Sequence, residues 1–396
     1  MPADWIIPVS MPGLTHDDVV AMLSGLLREH LAVSDWGANL DVALARADRS
    51  VAAAAADMFG LGPDVVEELV GLAQVTAWAD TVLGLAGARP ERLTFRTSGS
   101  TGQPVAHTHA TALLWQEMAT QAEFYPGRTR VVGFVPCHHI YGFLFLVLLP
   151  KALGVPVVLL PPLPTVAHVR RLQPGDLAVA FPLFWKGLAQ VGAAFAPRVQ
   201  GVTSTGPCPA EVILTLQELG LERCTEIYGS SETAGIGFRH APGDTYTLLD
   251  YWASDPGAEL GNGLVRALPD GGRATYPLPD HVAWASPRTF TLAGRRDRAV
   301  QVGGVNVYPE RVREVLQQHP AVAACMVRLM RPEEGSRLKA FVVPNDPTAD
   351  STALRRVILA WLEPRLTPAE TPKALAFGDR LPATALGKAA DWDLTC

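Results

Sequence analysis

Residues 225–237, TEIYGSSETAGIG, begin as a strand-like run and continue into a turn of small and hydroxyl-bearing residues. This run is the last of five short stretches rich in β-branched or apolar residues, and segments with helical spacing of apolar residues lie between several of them. The alternation predicts an α/β fold in which a large sheet is flanked by helices. The five stretches are VVGFV (131–135), VPVVLL (155–160), LAVA (177–180), GVTST (201–205) and CTEIY (224–228).

The regions on either side of this predicted sheet differ from it. Residues 14–88 carry apolar residues at helical spacing and are predicted to be mainly helical. Near residue 295 the sequence becomes dense in Arg and Gly, which is typical of an exposed connection. Beyond it the pattern predicts a helix that begins at Pro309, two strands and a further helix. We therefore predict a large N-terminal domain (1–295) and a small C-terminal α+β domain (296–396).

The composition excludes several classes of protein. With 396 residues, 48% of them hydrophobic and 18% charged, the chain is long enough for two or more packed domains. A net charge of −6 provides no basic surface for nucleic acid. Five dispersed cysteines without a C-x-x-C pair indicate a reducing compartment and no zinc site. Because the N-terminus also lacks a secretory signal, we expect a cytoplasmic protein.

The most apolar region is FLFLVLLPKALGVPVVLLPPLP, residues 143–164. Pro150, Lys151 and Pro156 interrupt it. The longest uninterrupted run is shorter than the roughly 20 residues that a membrane-spanning helix needs. We therefore expect this region to be buried core, with no membrane association.

A second segment, TFRTSGSTGQPVAHTHA (94–110), places six small residues in a row, Thr97 to Gly102. Small residues with free backbone N–H groups and hydroxyls suit a loop that wraps a phosphate. Taken alone, the segment fits an ordinary polar loop equally well. It lacks the lysine of the G-x-x-x-x-G-K-[ST] signature, because Val105 follows Gln103 and Pro104.

Two further elements carry titratable groups with more than one interpretation. In VPCHHIYGF (135–143), neighbouring His138 and His139 would point to opposite faces of an extended segment, so we expect no metal chelation and keep a core or solvent-facing histidine as the common case. In the first stretch, Glu232 follows a strand. Such a glutamate is either a helix N-terminal charge or a Mg²⁺ ligand beside bound phosphates.

The last two elements are LAGRRDRAVQVGGVNVYPERVREVL (292–316) and LPATALGKAADWDL (381–394). In this order and at these separations, the five elements resemble the adenylate-forming superfamily, which includes acyl- and aryl-CoA ligases, adenylation domains of peptide synthetases, and luciferases. The resemblance covers residues 94–388. It implies an enzyme that uses ATP and Mg²⁺ to activate a carboxylic acid as an acyl-adenylate, then passes the acyl group to the thiol of CoA or of a phosphopantetheine carrier protein.

The resemblance also implies a nucleotide site. Its residues cradle the phosphates, line the adenine, and bind the ribose hydroxyls, while Glu232 binds Mg²⁺. The matching positions are Thr97, Ser98, Gly99, Ser100, Thr101, Gly102, Gly206, Pro207, Tyr228, Gly229, Ser230, Ser231, Asp280 and Arg295.

The C-terminal elements match the mobile part of the superfamily. Lys388 in PATALGK matches the catalytic lysine, which can neutralise charge developing on the α-phosphate and on the attacking oxygen. Asp297 in GRRD matches a hinge about which the small domain rotates after adenylation. Gly303 and Gly304 match a turn that lines the tunnel for the thiol acceptor.

The acid pocket is implied by His139, which fits the superfamily's P-x-x-H-x-x-G and would border the carboxylate of the substrate. Its predicted lining is mainly aromatic and contains no acidic residue to pair with an amino group, so we expect an aryl or unsaturated acid. For Phe184 and Trp185, plain core packing is the alternative. The predicted lining residues are His139, Tyr141, Phe181, Phe184, Trp185 and Gly235.

The chain departs from the superfamily pattern at several points. Val105 replaces the phosphate-loop lysine, so we expect weaker binding of ATP through its β- and γ-phosphates. Leu278 and Pro279 stand before Asp280 where Thr-Gly is usual, and Asp391 stands where many members carry Arg. The phosphate loop also begins early in the chain, which predicts a trimmed N-terminal region with an exposed edge that a homodimer would cover.

Three functions remain open from the sequence. The leading hypothesis is an ATP-dependent acid–thiol ligase. The second is an adenylate-forming enzyme with an unusual nucleophile, such as an amine or an inorganic anion. The third is a degenerate homologue that binds nucleotide without catalysis. Val105 favours the third hypothesis, whereas the presence of Lys388 and Glu232 favours the first.

Overall fold

The computed structural model describes residues 12–98, 104–241, 243, 245–255, 263–296, 299–303, 305–331, 333–335, 337–382 and 390–394. The chain divides into two compact units: residues 1–97 with 105–293, and residues 294–396 with the short segment 98–104. The division at 293/294 lies two residues before the domain boundary predicted at 295/296, which stays a prediction.

The described α-helices, in chain order, are α1 His16–His30, α2 Leu40–Leu44, α3 Arg49–Met58, α4 Asp64–Val70, α5 Val75–Ala86, α6 Thr111–Ala122, α7 Ile140–Phe143, α8 Leu149–Leu153, α9 Val166–Arg171, α10 Pro182–Val191, α11 Ala210–Glu218, α12 Pro309–Gln317 and α13 Ser351–Leu362. A π-helix, Leu144–Leu148, joins α7 to α8.

The described strands are β1 Arg92–Ser98, β2 Pro104–Ala110, β3 Arg130–Gly133, β4 Val157–Leu159, β5 Asp176–Ala180, β6 Gln200–Thr203, β7 Arg223–Ser230, β8 Ala234–Ala241, β9 Tyr246–Leu248, β10 Trp252–Asp255, β11 Gly263–Ala267, β12 Arg273–Pro277, β13 Asp280–Trp284, β14 Thr289–Arg295, β15 Val300–Val302, β16 Val305–Val307, β17 Val322–Leu329, β18 Leu338–Pro344 and β19 Ala374–Phe377.

A nine-stranded sheet organises the first unit, in the order β13-β14-β9-β8-β7-β6-β5-β3-β4. The strands β4, β3, β5, β6 and β7 are parallel, and β8 turns back antiparallel to β7. Because both faces of a parallel sheet are covered, alternate residues enter two different cores. Val131 and Val179 belong to one core with α1, and Val132 and Ala178 to the other with α10 and α11. The predicted α/β class is confirmed.

The N-terminal region is helical from α1 to α5, as predicted. Helix α1 begins with a capping box, in which Thr15 accepts from the backbone of Asp18 and the Asp18 side chain accepts from the backbone of Thr15. Its apolar side, including Met22 and Leu27, is fully buried and packs toward α5. This packing fixes the end of α1, where Glu29 lies.

The apolar region 143–164 divides into two parts. Residues 143–149 are buried, as expected, in the turn of α7, the π-helix and the start of α8. Val157 and Leu159, in contrast, are 37% and 39% exposed because β4 is the edge strand of the sheet. Among the described residues, no helix combines the length and the apolar character needed to cross a bilayer.

The second unit has its own core. The sheet β17-β18-β19 packs against α12 and α13 through residues such as Leu316, Ala340 and Ile358. Pro309 is the first residue of α12, as predicted, since proline is favoured where no backbone N–H is required.

Candidate active site

The carboxyl ends of four parallel strands carry most of the predicted site segments. His139 follows β3, Phe181 follows β5, Gly206 and Pro207 follow β6, and Tyr228 lies near the end of β7. In open α/β sheets, ligands bind at this edge. Segments that are far apart in sequence therefore meet at the edge that suits a substrate.

Tyr228 and Asp280, 52 positions apart, are in direct contact. The Tyr228 hydroxyl donates to Asp280 Oδ2 at 2.7 Å, and both residues are buried. The Tyr228 ring also packs edge-on against Phe290, with ring centroids 5.5 Å apart. The structure thus brings together the two residues for which the resemblance implies adenine and ribose contacts.

A tight turn joins β7 to β8 and carries the hydroxyl-rich segment. Ser230 Oγ and Thr233 Oγ1 lie 2.9 Å apart, and the Thr233 N–H donates to Ser230 Oγ at 3.3 Å. At Gly229 a Cβ would lie 2.2 Å from the carbonyl oxygen of Ala234. Only glycine permits this close approach of the two strands, so Gly229 is required by the turn itself.

Glu232 lies in this turn with its side chain 61% exposed. Its Oε1 is 3.9 Å from His107 Nε2 on β2. A second contact from β2 joins the same turn, because His109 Nε2 donates to the carbonyl of Ser231 at 2.7 Å. Burial lowers the pKa of His109 to about 4, so its ring is neutral and can hold this bond near pH 7. Strand β2 is thereby tied to the turn that presents Glu232.

His138 and His139 do not point to opposite faces, and that expectation is wrong. They lie in a turn rather than an extended segment, and their ring centroids are 4.0 Å apart. Both Nε2 atoms reach the same oxygen, Glu29 Oε2, at 2.8 Å for His138 and 2.9 Å for His139. These bonds hold the pKa of Glu29 well below its usual range, so the carboxylate stays charged.

The ligand atoms of Glu29, His138 and His139 lie within 4.8 Å of one another, a separation that a metal ion permits. A histidine that binds a metal usually donates its other ring N–H to a partner. Within the described residues, His138 Nδ1 is buried without one. The arrangement instead suits a hydrogen-bonded cluster, in which Nε2 carries the proton and donates to Glu29.

Glu29 is a site neighbour that the sequence did not indicate. It lies on α1, 109 positions before His138, and the periodicity of α1 marks it only as a residue near the polar face. No spacing rule connects the two segments, so the contact emerges only from the packing of α1 beside the loop after β3.

The buried imidazole of His138 makes a testable contribution to stability. Burial, with His139 beside it, lowers its pKa to about 4, whereas an unfolded histidine titrates near 6.5. Between these values the unfolded chain binds the proton and the folded chain does not, so stability falls as pH falls. We expect acidification from pH 7.5 to 5.0 to cost the wild type about 2 kcal/mol more than it costs His138→Asn in urea unfolding.

The matched control for this experiment is His281→Asn, because His281 is exposed. That variant should lose as much stability on acidification as the wild type does. Equal losses in the wild type and in His138→Asn would contradict the buried neutral state of His138.

Gly142 and Tyr141 fix the loop after β3. At Gly142 a Cβ would lie 1.9 Å from the carbonyl oxygen of Pro136, so the last position of P-x-x-H-x-x-G must be glycine. The Tyr141 hydroxyl donates to the carbonyls of Ala180 at 2.9 Å and Val202 at 3.1 Å, and burial raises its pKa. Its hydroxyl therefore joins the ends of β5 and β6.

The aromatic residues predicted for the acid pocket separate into two groups. Tyr141 packs in the core with α1, whereas Phe184 and Trp185 are fully buried in the core on the other face of the sheet. Phe184 stacks on Phe134 at 4.3 Å, and Trp185 Nε1 donates to the carbonyl of Val202. Phe184 and Trp185 therefore pack in this core, and their place in the lining of the acid pocket stays a prediction. Phe181 is partly buried and packs against both cores.

Gly235 contacts a buried carboxylate that the sequence did not place. Its backbone N–H donates to both oxygens of Glu117 at 3.0 Å, and a Cβ on Gly235 would lie 2.3 Å from Glu117 Oε1. Burial raises the pKa of Glu117 to about 7. Gln121 Nε2 also donates to Glu117 Oε1 at 3.0 Å, so these oxygens are occupied by internal partners rather than offered to a substrate amine.

The remaining predicted residues lie at the ends of described elements or outside them. Thr97 and Ser98 end β1, and Arg295 ends β14. Gly303 adopts a left-handed φ of 62° between β15 and β16. The residues outside the described part of the chain are Gly99, Ser100, Thr101, Gly102, Asp297, Gly304 and Lys388.

Family models match two regions of the chain. The model described as AMP-binding enzyme matches residues 94–255, and the model described as AMP-binding enzyme C-terminal domain matches residues 312–388. A 4-coumarate–CoA ligase of Rhodobacter capsulatus is 39% identical over 376 residues, with 91% of this chain and 92% of that protein covered. A 4-coumarate–CoA ligase of Halorhodospira halophila is 36% identical over 397 residues, with 96% and 100% covered.

Solved structures with the same fold are more distant in sequence. An o-succinylbenzoate–CoA synthetase of Bacillus subtilis aligns with a TM-score of 0.62 at 16% identity, covering 94% of this chain and 91% of that chain. An amide bond synthetase of Marinactinospora thermotolerans aligns with a TM-score of 0.61 at 17% identity, covering 93% and 92%. At these identities the likeness concerns the fold.

Proposed function

The chain belongs to the AMP-binding enzyme family, within the adenylate-forming superfamily, and from this premise we propose that its acid substrate is 4-coumarate or a closely related arylpropenoic acid. It is an AMP-forming acid–thiol ligase that activates a carboxylic acid with ATP and transfers the acyl group to CoA. The single observation that carries the choice of acid is the similarity to two 4-coumarate–CoA ligases over nearly their whole length.

The reaction proceeds in two steps, adenylation of the acid and transfer of the acyl group to the thiol. An oxygen of the substrate carboxylate attacks the α-phosphorus of ATP, and the bond to pyrophosphate breaks. The thiolate of CoA then attacks the acyl carbonyl, a thioester forms, and AMP leaves. An unusual nucleophile and a degenerate homologue are not favoured, because the relatives matched over nearly their whole length carry the name of a CoA ligase.

We propose that the buried pair of Tyr228 and Asp280 forms the nucleoside part of the site. The short bond between the phenol and the carboxylate holds the aromatic ring in one orientation, which is what stacking on a base requires. A carboxylate is a strong acceptor for ribose hydroxyls. Gly206, Pro207 and Arg295 complete this part of the proposal, and residues 97–102 form its phosphate loop.

The turn after β7 fits a magnesium ion. Glu232 offers exposed carboxylate oxygens, the hard donors that Mg²⁺ prefers, and the bonds of β2 to this turn hold its backbone. We propose that Glu232 binds this ion, which when bound would offset negative charge on the phosphates.

We propose that His139 borders the substrate carboxylate from the loop after β3. Glu29 keeps its ring in place through Nε2, and Gly142 keeps the loop in contact with Pro136. We propose that Tyr141, in α7 beside this loop, Phe181, which follows the neighbouring strand β5, and Gly235 on β8 also line the acid pocket. A mainly apolar lining agrees with an aromatic acid that carries its only charge at the carboxylate.

We also propose that Asp297 acts as a hinge for domain rotation and that Gly303 with Gly304 lines the thiol path. The reducing cytoplasm is supported by the four described cysteines, which are free and buried. A homodimer is supported by the exposed edge strand β4. A carrier protein as alternative acceptor, and a role in secondary metabolism, follow from the superfamily alone.

Acid-dependent release of pyrophosphate tests the proposed substrate. With ATP, Mg²⁺ and CoA, we expect 4-coumarate to give a kcat/KM at least about tenfold above acetate, benzoate or an amino acid such as phenylalanine, because each lacks the propenoate or carries an extra charge. Mass spectrometry of the CoA thioester identifies the product. Preference for a short-chain or amino acid in this panel would reject the arylpropenoate assignment while leaving the ligase chemistry intact.

A further inference from the structure

The backbone of Ala234, two residues after Glu232, has a conformation that residues other than glycine rarely adopt. Its φ is 58°, in the left-handed region, and its side chain is buried. Ala234 is the first residue of β8 and lies opposite Ser230 in the antiparallel pairing with β7. A backbone in this region persists only where surrounding contacts fix it. The contacts on either side of Ala234 therefore decide the shape of the turn that carries Glu232.

Gly235, the next residue, has both of its backbone polar groups bonded to buried side chains. Its N–H donates to the two carboxylate oxygens of Glu117, on α6, at 3.0 Å each. Its carbonyl accepts from the Tyr251 hydroxyl at 3.1 Å and from Trp252 Nε1 at 2.8 Å. Because these side chains are buried, removing one of them leaves a polar group of the strand without a partner.

Arg266, on β11, holds Thr233 on the other side of the strained residue. The side chain of Arg266 is buried, and its Nη1 donates to the carbonyl of Thr233 at 3.3 Å. Its Nη2 donates to the carbonyl of Leu113 at 2.7 Å, and its Nε donates to Gln116 Oε1 at 3.3 Å. Both acceptors belong to α6, so the guanidinium joins the turn to the helix that also carries Glu117.

Two opposite charges are thus buried beside this turn. Burial raises the pKa of Glu117 to about 7, and the charge of Arg266 and the N–H of Gly235 oppose this rise. Gln121 Nε2, which donates to Glu117 Oε1 at 3.0 Å, and the Tyr251 hydroxyl also favour the charged form. These partners are donors or carry positive charge, so they suit the carboxylate rather than the neutral acid.

We propose that Glu117 and Arg266 position the turn that carries Glu232. They do so by holding the backbone on both sides of the strained residue, Ala234. This inference rests on the proposed function, in which Glu232 binds Mg²⁺ beside the phosphates. Glu117 and Arg266 are positioning residues, since they act through the backbone that follows Glu232.

The first test measures the backbone directly, without nucleotide or metal. Glu117→Gln keeps the size of the side chain but replaces one acceptor oxygen with an amide group that cannot accept from the Gly235 N–H. We expect deuterium exchange in peptides that cover residues 229–237 to become about tenfold faster. Tyr251→Phe removes only the hydroxyl that bonds the Gly235 carbonyl and should accelerate the same exchange by a smaller factor. It therefore tests the proposal even where Glu117→Gln folds poorly.

The second test measures the Mg²⁺ requirement of adenylation, by ATP–pyrophosphate exchange with 4-coumarate at a fixed ATP concentration. In Glu117→Gln, we expect the Mg²⁺ concentration for half-maximal rate to rise about tenfold, with most of the rate recovered at saturating Mg²⁺. In the Glu232→Gln background, the same substitution should change this concentration less than about twofold. A residue that acts through Glu232 has no further effect once that carboxylate is gone.

Asp176→Asn is the matched control for a buried carboxylate. Asp176 is fully buried and pairs with Arg130 at 2.6 Å, but it lies at the start of β5, the end of the strand opposite to the site. This variant should be less stable than the wild type without changing the deuterium exchange of residues 229–237 or the Mg²⁺ requirement.

Three results would overturn the positioning role. They are equal acceleration of deuterium exchange in Asp176→Asn and Glu117→Gln, an Mg²⁺ requirement that Glu232→Gln raises and Glu117→Gln does not, and additive effects of the two glutamine substitutions. Failure of the proposed function is distinct, because it shows as absent pyrophosphate exchange in the wild type or as an Mg²⁺ requirement that Glu232→Gln leaves unchanged. In that case the deuterium exchange still decides whether Glu117 holds the turn.

Discussion

Replacing Lys388 with alanine should lower the rate of acyl-adenylate formation by about 10²–10³-fold. A carboxylate that approaches the α-phosphate brings two anions together, and one ammonium placed between them stabilises the charge that develops as the new bond forms. The second step needs no such group, because the acyl-adenylate is already an activated mixed anhydride, from which AMP leaves readily when the thiolate attacks. Thioester formation from supplied 4-coumaroyl-adenylate and CoA should therefore proceed at the wild-type rate.

Two further variants sharpen this experiment. Lys388→Arg retains the charge but changes its geometry, so it should restore only part of the adenylation rate. Lys373→Ala removes an exposed lysine from the same unit and should have no effect. If both half-reactions fell together in Lys388→Ala, the lysine would be a structural residue and its catalytic role would be rejected.

The fold was predictable where strands are covered on both faces. Strand β5 is buried along its whole length and reads as the apolar run LAVA, and β6 is buried in the same way. Parallel strands produce such runs because helices pack on each side. Strand β12, Arg273–Pro277, is alternately exposed and partly buried and has no apolar run, so its three-stranded sheet was not predicted.

The site was predictable where contacts within one short motif require a particular residue. Gly142 and Gly229 are required by contacts within a few residues, and such local constraints are visible in sequence. The Tyr228–Asp280 pair was reached through the resemblance, since 52 positions separate the two residues. The contacts of Glu29 and Glu117 were not reached, because each depends on how a helix packs against a distant loop or strand.

Val105, at the position of the superfamily's phosphate-loop lysine, lies on β2. Its side chain is 42% exposed on β2, so burial in the core does not explain the absence of a lysine. Strand β2 contacts the turn that carries Glu232, because His109 on β2 donates a hydrogen bond to the carbonyl of Ser231. Weaker binding of the β- and γ-phosphates of ATP stays a prediction. If the phosphates contribute less, contacts to the adenine and the ribose contribute a larger share of the affinity for ATP.

Replacing Asp280 with alanine should therefore lower kcat/KM for ATP by about 100-fold while changing KM for 4-coumarate little. A charged acceptor contributes about 1.5–3 kcal/mol per hydrogen bond, and the ribose hydroxyls would lose that acceptor. The Tyr228 ring would also lose the 2.7 Å bond that fixes its orientation for stacking. Initial rates over a range of ATP concentrations, with the acid saturating, measure this effect.

Graded variants separate the two contributions at this pair. Tyr228→Phe keeps the ring and the Asp280 carboxylate but removes the bond between them, so we expect a loss of less than about tenfold. Asp280→Asn keeps an acceptor oxygen without the charge and should fall between Tyr228→Phe and Asp280→Ala. Because Asp280 is buried, replacing it also changes the stability of the fold. The thermal unfolding of each variant is therefore measured together with its kinetics. A larger loss in Tyr228→Phe than in Asp280→Ala would mean that orientation of the ring, rather than the ribose contact, governs ATP binding.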